Sequence, residues 1–298
     1  MTDKYLNAIQ KNHPDIQNDN IKIFDEGWDY LVFVVNNERA FRFPKVPRVI
    51  NPSSASFLKE FSQTAPLPLP TVEIYVDEET GINYELNTFI PGVSFYPDVA
   101  KDFTNEELMA VAQNLGGFLR TVHSFPIDKA RILGVDEMDP VDFWAYMEQN
   151  EMAYPKFKRL VFPHITKDEQ EWVEKLFTDY ISLVKQTPFK TRVIHPDMWV
   201  FHIIVDPDKH NLSGVIDFGP RIADPANDFK AFEYYGVDFV QEVYKSYGSE
   251  VDENFEKRRL FYTGHDEVFE LARQIEKGNG DGLDRHKKSL SKYIEEHS

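Results

Sequence analysis

His195-Pro196-Asp197-Met198-Trp199-Val200-Phe201-His202, followed fifteen residues later by Asp217-Phe218-Gly219, is the stretch on which the fold turns. Between the two acidic positions lie two short apolar runs, Ile203-Ile204-Val205 and Gly214-Val215-Ile216, joined by the turn-rich Asp206–Asn211. That pattern predicts a tight strand pair. A hairpin of two short strands thus separates Asp197 and His202 from Asp217. A lone Asp-Phe-Gly or His-x-Asp is common by chance, and a histidine leading into a strand is usually a satisfied core group. The order, the spacing and the strand context together carry the weight.

Working outward, the chain upstream is strand-rich. Tyr30–Val35 and Ala40–Phe43 flank the turn pair Asn36-Asn37, which predicts a hairpin. A short helix is expected around 55–61. Pro66, Pro68 and Pro70 then exclude helix, because proline lacks the N–H and clashes with the preceding turn. Two more strands are expected over Thr71–Val76 and Asn83–Phe89, and Pro91-Gly92 breaks the chain. Beyond that break helices dominate. Thr104 with Glu107, and Thr166 with Glu169, are capping boxes, each ahead of apolar residues at helical spacing. The reading is an α+β protein of two lobes. Residues 1–90 form an antiparallel sheet with a helix, and residues 91–298 form a larger, mainly helical lobe.

Bulk properties exclude several functions. Against 33 Lys and Arg stand 50 Asp and Glu, a net charge of −17, which opposes binding to nucleic-acid phosphates and draws cations towards any acidic cleft. The absence of cysteine excludes disulfides, thiolate metal sites and thiol nucleophiles. No apolar run approaches the roughly 20 residues of a membrane span, and the N-terminus lacks the layout of an export signal. A cytoplasmic protein without a nucleic-acid, membrane or obligate protein partner is expected.

His-x-Asp, four residues, a metal ligand, a strand pair and Asp-Phe-Gly is the order of the catalytic and metal-binding loops of kinases. Phosphoryl transfer needs a carboxylate to orient and deprotonate the attacking hydroxyl, which suits Asp197. It also needs ligands holding Mg²⁺ against the triphosphate, which suits Asp217 and His202. Nearly the whole chain resembles the aminoglycoside phosphotransferase family and its macrolide phosphotransferase relatives. The likeness is carried by His202-Ile203-Ile204 and by Gly214–Gly219 with Asp224-Pro225-Ala226-Asn227-Asp228-Phe229. Further upstream it is carried by Gly27-Trp28-Asp29-Tyr30, Phe41–Lys45, and Leu115-Gly116 through His123-Ser124.

The resemblance implies a protein-kinase-like fold and a Mg²⁺-dependent kinase using ATP or GTP. Asp197 would be the catalytic base, and His202 and Asp217 the metal ligands. Gly27 would lie in the nucleotide loop, and Arg42 would reach the phosphates. The backbone of Asn87, Thr88, Phe89 and Ile90 would form the purine-binding hinge. Asp224 and Asp228 would brace the loop below the site. Glu233, Tyr234, Tyr235, Asp266, Glu267 and Glu270 would form the wall that receives a small cationic hydroxyl compound, such as an aminoglycoside or macrolide. Departures from the pattern are Arg42 in place of Lys, and Ser54 where the next helix should supply a glutamate to orient that cation, with Glu60 two turns away. Pro196 and Pro220 also depart from it. Three readings stay open: an antibiotic kinase, a kinase of a metabolite alcohol such as choline, methylthioribose or a sugar-like alcohol, and a degenerate fold that binds nucleotide without turnover.

Overall fold

The computed structural model describes residues 2–16, 20–25, 29–46, 48–138, 154–187, 189–248 and 251–297. Its first part holds helix α1 (Asp3–Asn12), strands β1 (Ile21–Phe24), β2 (Tyr30–Val35) and β3 (Arg39–Pro44), helix α2 (Ser53–Phe61), and strands β4 (Val72–Val76) and β5 (Asn83–Thr88). The strands form one antiparallel sheet in the order β1-β2-β3-β5-β4. The β2–β3 hairpin turns at Asn36 and Asn37, both with φ near +56°, the left-handed pair that a tight hairpin needs and that asparagine tolerates.

Alternation along β2 and β3 splits the sheet into two faces. Phe33, Val35, Phe41 and Phe43 point to one side, where they pack with Ile9 of α1, Ile16 and Tyr84. Val32, Val34, Ala40 and Arg42 point to the other side and roof a cleft. Helix α1 is not expected from the sequence, which predicts strands and one helix around 55–61 for the first 90 residues. It forms because Ile9, Tyr5 and Leu6 cover the apolar sheet face.

The chain leaves the sheet after β5 and re-pairs at once as β6 (Val93–Ser94) against the floor of the cleft. Gly92 permits this: its φ is +137°, and a Cβ there would lie 2.3 Å from the Val205 carbonyl oxygen. Helices α3 (Pro97–Ala100), α4 (Asn105–His123) and α5 (Ile127–Ile132) follow, then β7 (Asp136–Glu137), α6 (Tyr154–Val161) and α7 (Lys167–Gln186). Both expected capping boxes are formed, on α4 and α7. Strands β8 (Arg192–Ile194), β9 (Ile203–Asp206), β10 (Asn211–Val215) and β11 (Arg221–Ala223) make two small sheets, β10-β9-β6 and β7-β11-β8. A 3₁₀ run (Pro225–Tyr235) and helices α8 (Val237–Tyr247), α9 (Glu253–Lys277) and α10 (Gly280–His297) complete the helical part. Helix α2 joins the two parts: its Phe57 and Phe61 rings lie 5.3 and 5.9 Å from that of Phe218, inside the main core. Among the described residues no helix is long and apolar enough to cross a membrane.

Candidate active site

A cleft of about 1430 Å³ runs beneath the five-stranded sheet and above the β9–β10 hairpin, and extends towards α9 and α10. Asp197, His202 and Asp217 all line it, and their ligand atoms lie within 4.8 Å of one another. The backbone around them is tightly determined. The Ile216 N–H donates to the His202 carbonyl (2.9 Å), closing the hairpin below the site. Asp217 sits in the left-handed region at φ +57°, a strained position that aspartate accepts more readily than most residues. The Phe218 ring stacks on His195 at 4.6 Å, inside the core.

The tautomer of His202 follows from its partners. Its Nδ1 lies 2.7 Å from the Asp197 carbonyl oxygen, which can only accept, so Nδ1 carries the proton and Nε2 presents a lone pair. That Nε2 is 3.5 Å from Asp217 Oδ2, and Nδ1 is 3.5 Å from Asp197 Oδ2. One imidazole lone pair and two carboxylates facing a triphosphate-sized cleft make a donor set that fits a hard divalent cation completed by phosphate oxygens. Burial works against the charge of Asp217, but the Arg42 guanidinium beside it outweighs that and holds the carboxyl below its ordinary range.

The loop that carries Asp197 is clamped from below. Asp228 is fully buried, and its Oδ2 accepts from the His195 N–H (2.7 Å) and from His123 Nε2 (3.0 Å). His123 Nδ1 in turn accepts a hydrogen bond from the Tyr247 hydroxyl at 2.8 Å. Lys230 Nζ and Asn227 Nδ2 approach the Pro196 carbonyl at 3.2 and 3.4 Å. Asp224 caps the 3₁₀ run, receives Arg258 Nε on both oxygens and accepts from the Tyr262 hydroxyl at 3.2 Å. Burial lifts its carboxyl above the ordinary range against the pull of Arg258. Asp224 and Asp228 thus stand as braces.

At the sheet end, Asn87, Thr88, Phe89 and Ile90 all line the cleft. The Thr88 and Phe89 N–H groups are used by the Thr71 and Glu38 carbonyls, whereas the Ile90 N–H bonds no other described residue. Asn87 Oδ1 is buried without a partner among the described residues, a hydrogen-bond acceptor in a cleft that the apolar side chains of Val32, Ala40, Ile204 and Ile216 also line. Gly27 lies outside the described residues. Arg42 Nη2 meets Asp217 Oδ1 at 2.7 Å, and Nη1 meets Glu85 Oε2 at 3.3 Å. Its guanidinium lies 4.3 Å over the Tyr30 ring. Burial lowers the pKa of Arg42, but the two carboxylates reverse the shift and raise it.

The expected acceptor wall is only partly assembled. Tyr234, Asp266, Glu267 and Glu270 line the cleft. Glu233 does not. It belongs to an ion cluster with Arg259 Nη1 (2.9 Å) and His297 Nε2 (2.6 Å), because the 3₁₀ run turns it towards α9 and α10. Tyr235 also leaves the wall, its ring stacked on Phe95 at 4.6 Å and its hydroxyl bonded to the Phe95 carbonyl. Within the wall, Asp266 pairs with Lys230 (2.8 Å) and Glu270 with Arg273 (2.6 Å). Glu267 accepts from the Tyr234 hydroxyl at 3.0 Å, and burial raises its carboxyl pKa. Lys230 and Glu85 were not singled out from the sequence. The pairing of β3 with β5 would have pointed to Glu85, since only the register sets it opposite Arg42.

An antiparallel sheet over a helical part, with Asp197, His202 and Asp217 meeting on the floor between them, defines the kinase-like class of fold. The chain belongs to the phosphotransferase enzyme family, whose model matches residues 20–261. Among solved structures, a GDP and kanamycin complex of the aminoglycoside phosphotransferase APH(2″)-IIIa superposes with a TM-score of 0.83 at 20% identity, covering 99% of each chain. A macrolide 2′-phosphotransferase type I gives 0.70 at 17% identity, covering 97% of this chain and 96% of the other. The apoenzyme of a macrolide 2′-phosphotransferase from Brachybacterium faecium gives 0.68 at 13%, covering 97% and 98%.

Proposed function

We propose that this phosphotransferase moves the γ-phosphoryl group of ATP or GTP to a hydroxyl of a small cationic antibiotic of the aminoglycoside or macrolide kind, and that it works in the cytoplasm. Residues 1–90 would hold the nucleotide, and residues 91–298 the catalytic groups and the acceptor. The observation that carries the reading is the meeting of Asp197, His202 and Asp217 on the floor of the cleft. The GDP and kanamycin bound to one structural neighbour support the donor and acceptor classes.

In this mechanism the purine enters the slot under β2 and β3, with the Ile90 N–H as a hinge donor. Arg42 turns its guanidinium from Asp217 to the phosphates, which it can grip through two N–H groups. His202 Nε2 and Asp217 would hold Mg²⁺, which when bound neutralises charge on the triphosphate. Asp197 orients the acceptor hydroxyl and takes its proton. The hydroxyl oxygen bonds to the γ-phosphorus as the bond to the β,γ-bridging oxygen breaks, and that electron pair leaves on the nucleoside diphosphate. The phosphorylated acceptor departs, and Asp197 returns its proton to water.

A second reading, a kinase of a metabolite alcohol, is favoured by the internal pairing of Asp266 with Lys230 and of Glu270 with Arg273. That pairing leaves the wall less anionic than a polycation would use. A product-detecting screen decides between them: ATP and GTP, each offered with aminoglycosides, macrolides and common alcohol metabolites. Phosphorylated antibiotic, absent with Asp197→Asn, supports the first reading. Product on metabolites alone selects the second. Nucleotide binding with no product from any acceptor would leave only the degenerate fold.

A further inference from the structure

We infer that Glu85, on strand β5 next to β3, is the positioning residue for Arg42, filling from the sheet a place that helix α2 leaves empty. The inference rests on the phosphoryl-transfer reading above. Helix α2 offers Ser54 rather than a carboxylate, and Glu60 is engaged elsewhere, bonded to Lys129. Glu85 stands directly opposite Arg42 in the β3–β5 ladder, so both side chains emerge on the cleft side of the sheet. Their side chains are only 12% and 17% exposed, which spares the pair from most solvent screening. The second oxygen of Glu85, Oε1, accepts from the Tyr30 hydroxyl at 3.0 Å, and the Tyr30 ring is the surface on which the guanidinium rests. Three groups on adjacent strands thus fix one another.

The consequence concerns the other end of the guanidinium. Arg42 is shared between a carboxylate that belongs to the sheet and Asp217, which belongs to the metal site. Nucleotide binding needs Asp217 released and the Nη2 end of Arg42 turned to the phosphates. Glu85 holds the Nη1 end throughout, so the movement is a pivot rather than a detachment. Without Glu85, Arg42 has Asp217 as its only carboxylate partner among the described residues, the pair tightens, and the residue needed for the metal stays masked.

Calorimetric binding of a non-hydrolysable nucleoside triphosphate, with and without Mg²⁺, tests this in the full chain and needs no acceptor. Glu85→Gln should weaken Mg²⁺-dependent binding about tenfold, the scale of one charge-assisted hydrogen bond. In steady state it should raise the nucleotide KM more than it lowers kcat and leave the acceptor KM within about twofold. In an Arg42→Met background the same substitution should add nothing, since Glu85 acts through Arg42. Tyr30→Phe keeps the ring and should give a smaller loss in the same direction, which keeps the test open if Glu85→Gln folds poorly. Wild-type affinity in Glu85→Gln, or a full additional loss in the Arg42→Met background, would overturn the inference and leave the kinase reading standing. If the wild-type protein bound no nucleoside triphosphate, both would fall together.

Discussion

Replacing Asp197 by Asn isolates the proton-transfer step, because the structure separates this side chain from the contacts that shape its loop. The loop is held by the His195 N–H on Asp228, by Lys230 on the Pro196 carbonyl, and by His202 Nδ1 on the backbone carbonyl of Asp197 itself. None of these uses the Asp197 carboxylate, whose side chain is 55% exposed in the cleft. The amide is isosteric, so folding should be unchanged and the melting temperature should shift by no more than about 2 °C, as expected of a surface substitution. What disappears is the acceptor for the hydroxyl proton. General-base catalysis of this kind contributes about 10²–10⁴ in rate, or roughly 3–5 kcal/mol of barrier at 1.36 kcal/mol per decade. The assay is single-turnover product formation with saturating nucleotide and acceptor, alongside equilibrium nucleotide binding. The expected result is kcat down by two to four decades, with nucleotide affinity within about twofold because Asp217, His202 and Arg42 are untouched. Turnover within a factor of ten of wild type would refute the assignment.

Two further outcomes follow from the charges around the site. Burial raises the Glu267 carboxyl above its ordinary 4.5, so its proton leaves at higher pH than in the unfolded chain. The native state therefore binds that proton more tightly, and Glu267 subtracts stability as pH rises through the window above 4.5. The same ionisation should lower the KM of a cationic acceptor as pH rises through that window, and Glu267→Gln should flatten the profile. An unchanged profile in the variant would remove Glu267 from the acceptor wall. For Asp228→Asn, the loss of a charge-assisted acceptor for His123 and the His195 N–H should cost about 1–3 kcal/mol of stability. Thermal unfolding measures this, with kcat falling while nucleotide affinity holds.

What the sequence made legible was mostly local or motif-borne. The hairpin at Asn36-Asn37 and the capping boxes at Thr104 and Thr166 depend on residues within a few positions of one another, and each is found where expected. The grouping of Asp197, His202 and Asp217 follows from the hairpin between them, whose length leaves little freedom. Helix α1 was missed because its N-terminus carries no side-chain cap and its amphipathic face is short. The fold supplies the reason for that helix in the aromatic sheet face it covers. Glu233 was misplaced for a related cause: the sequence shows an acidic residue after the active-site loops, but not Arg259 and His297, 26 and 64 positions later, which take it out of the cleft. Orientation within a 3₁₀ run is set by tertiary partners that spacing does not reveal.

The same distinction bears on what the net charge of −17 means for recognition. Taken over the chain, the acidity suggests a cleft that captures cations by field alone. Inside the cleft the carboxylates of the proposed acceptor wall are already partnered, Asp266 by Lys230 and Glu270 by Arg273, and Glu267 is buried and holds its proton to higher pH. A buried carboxylate with a lysine at 2.8 Å has little left to offer a second ammonium, because that cation would have to displace a partner rather than meet a free charge. Long-range steering of a cationic acceptor survives, since it depends on the summed charge, but selection at contact distance falls to the shape of the wall and to one titrating carboxylate. An acceptor with a single amine and a large apolar body meets that wall at lower cost than a compact polyamine, so among cationic antibiotics the macrolide kind should show the lower KM and the weaker dependence on salt.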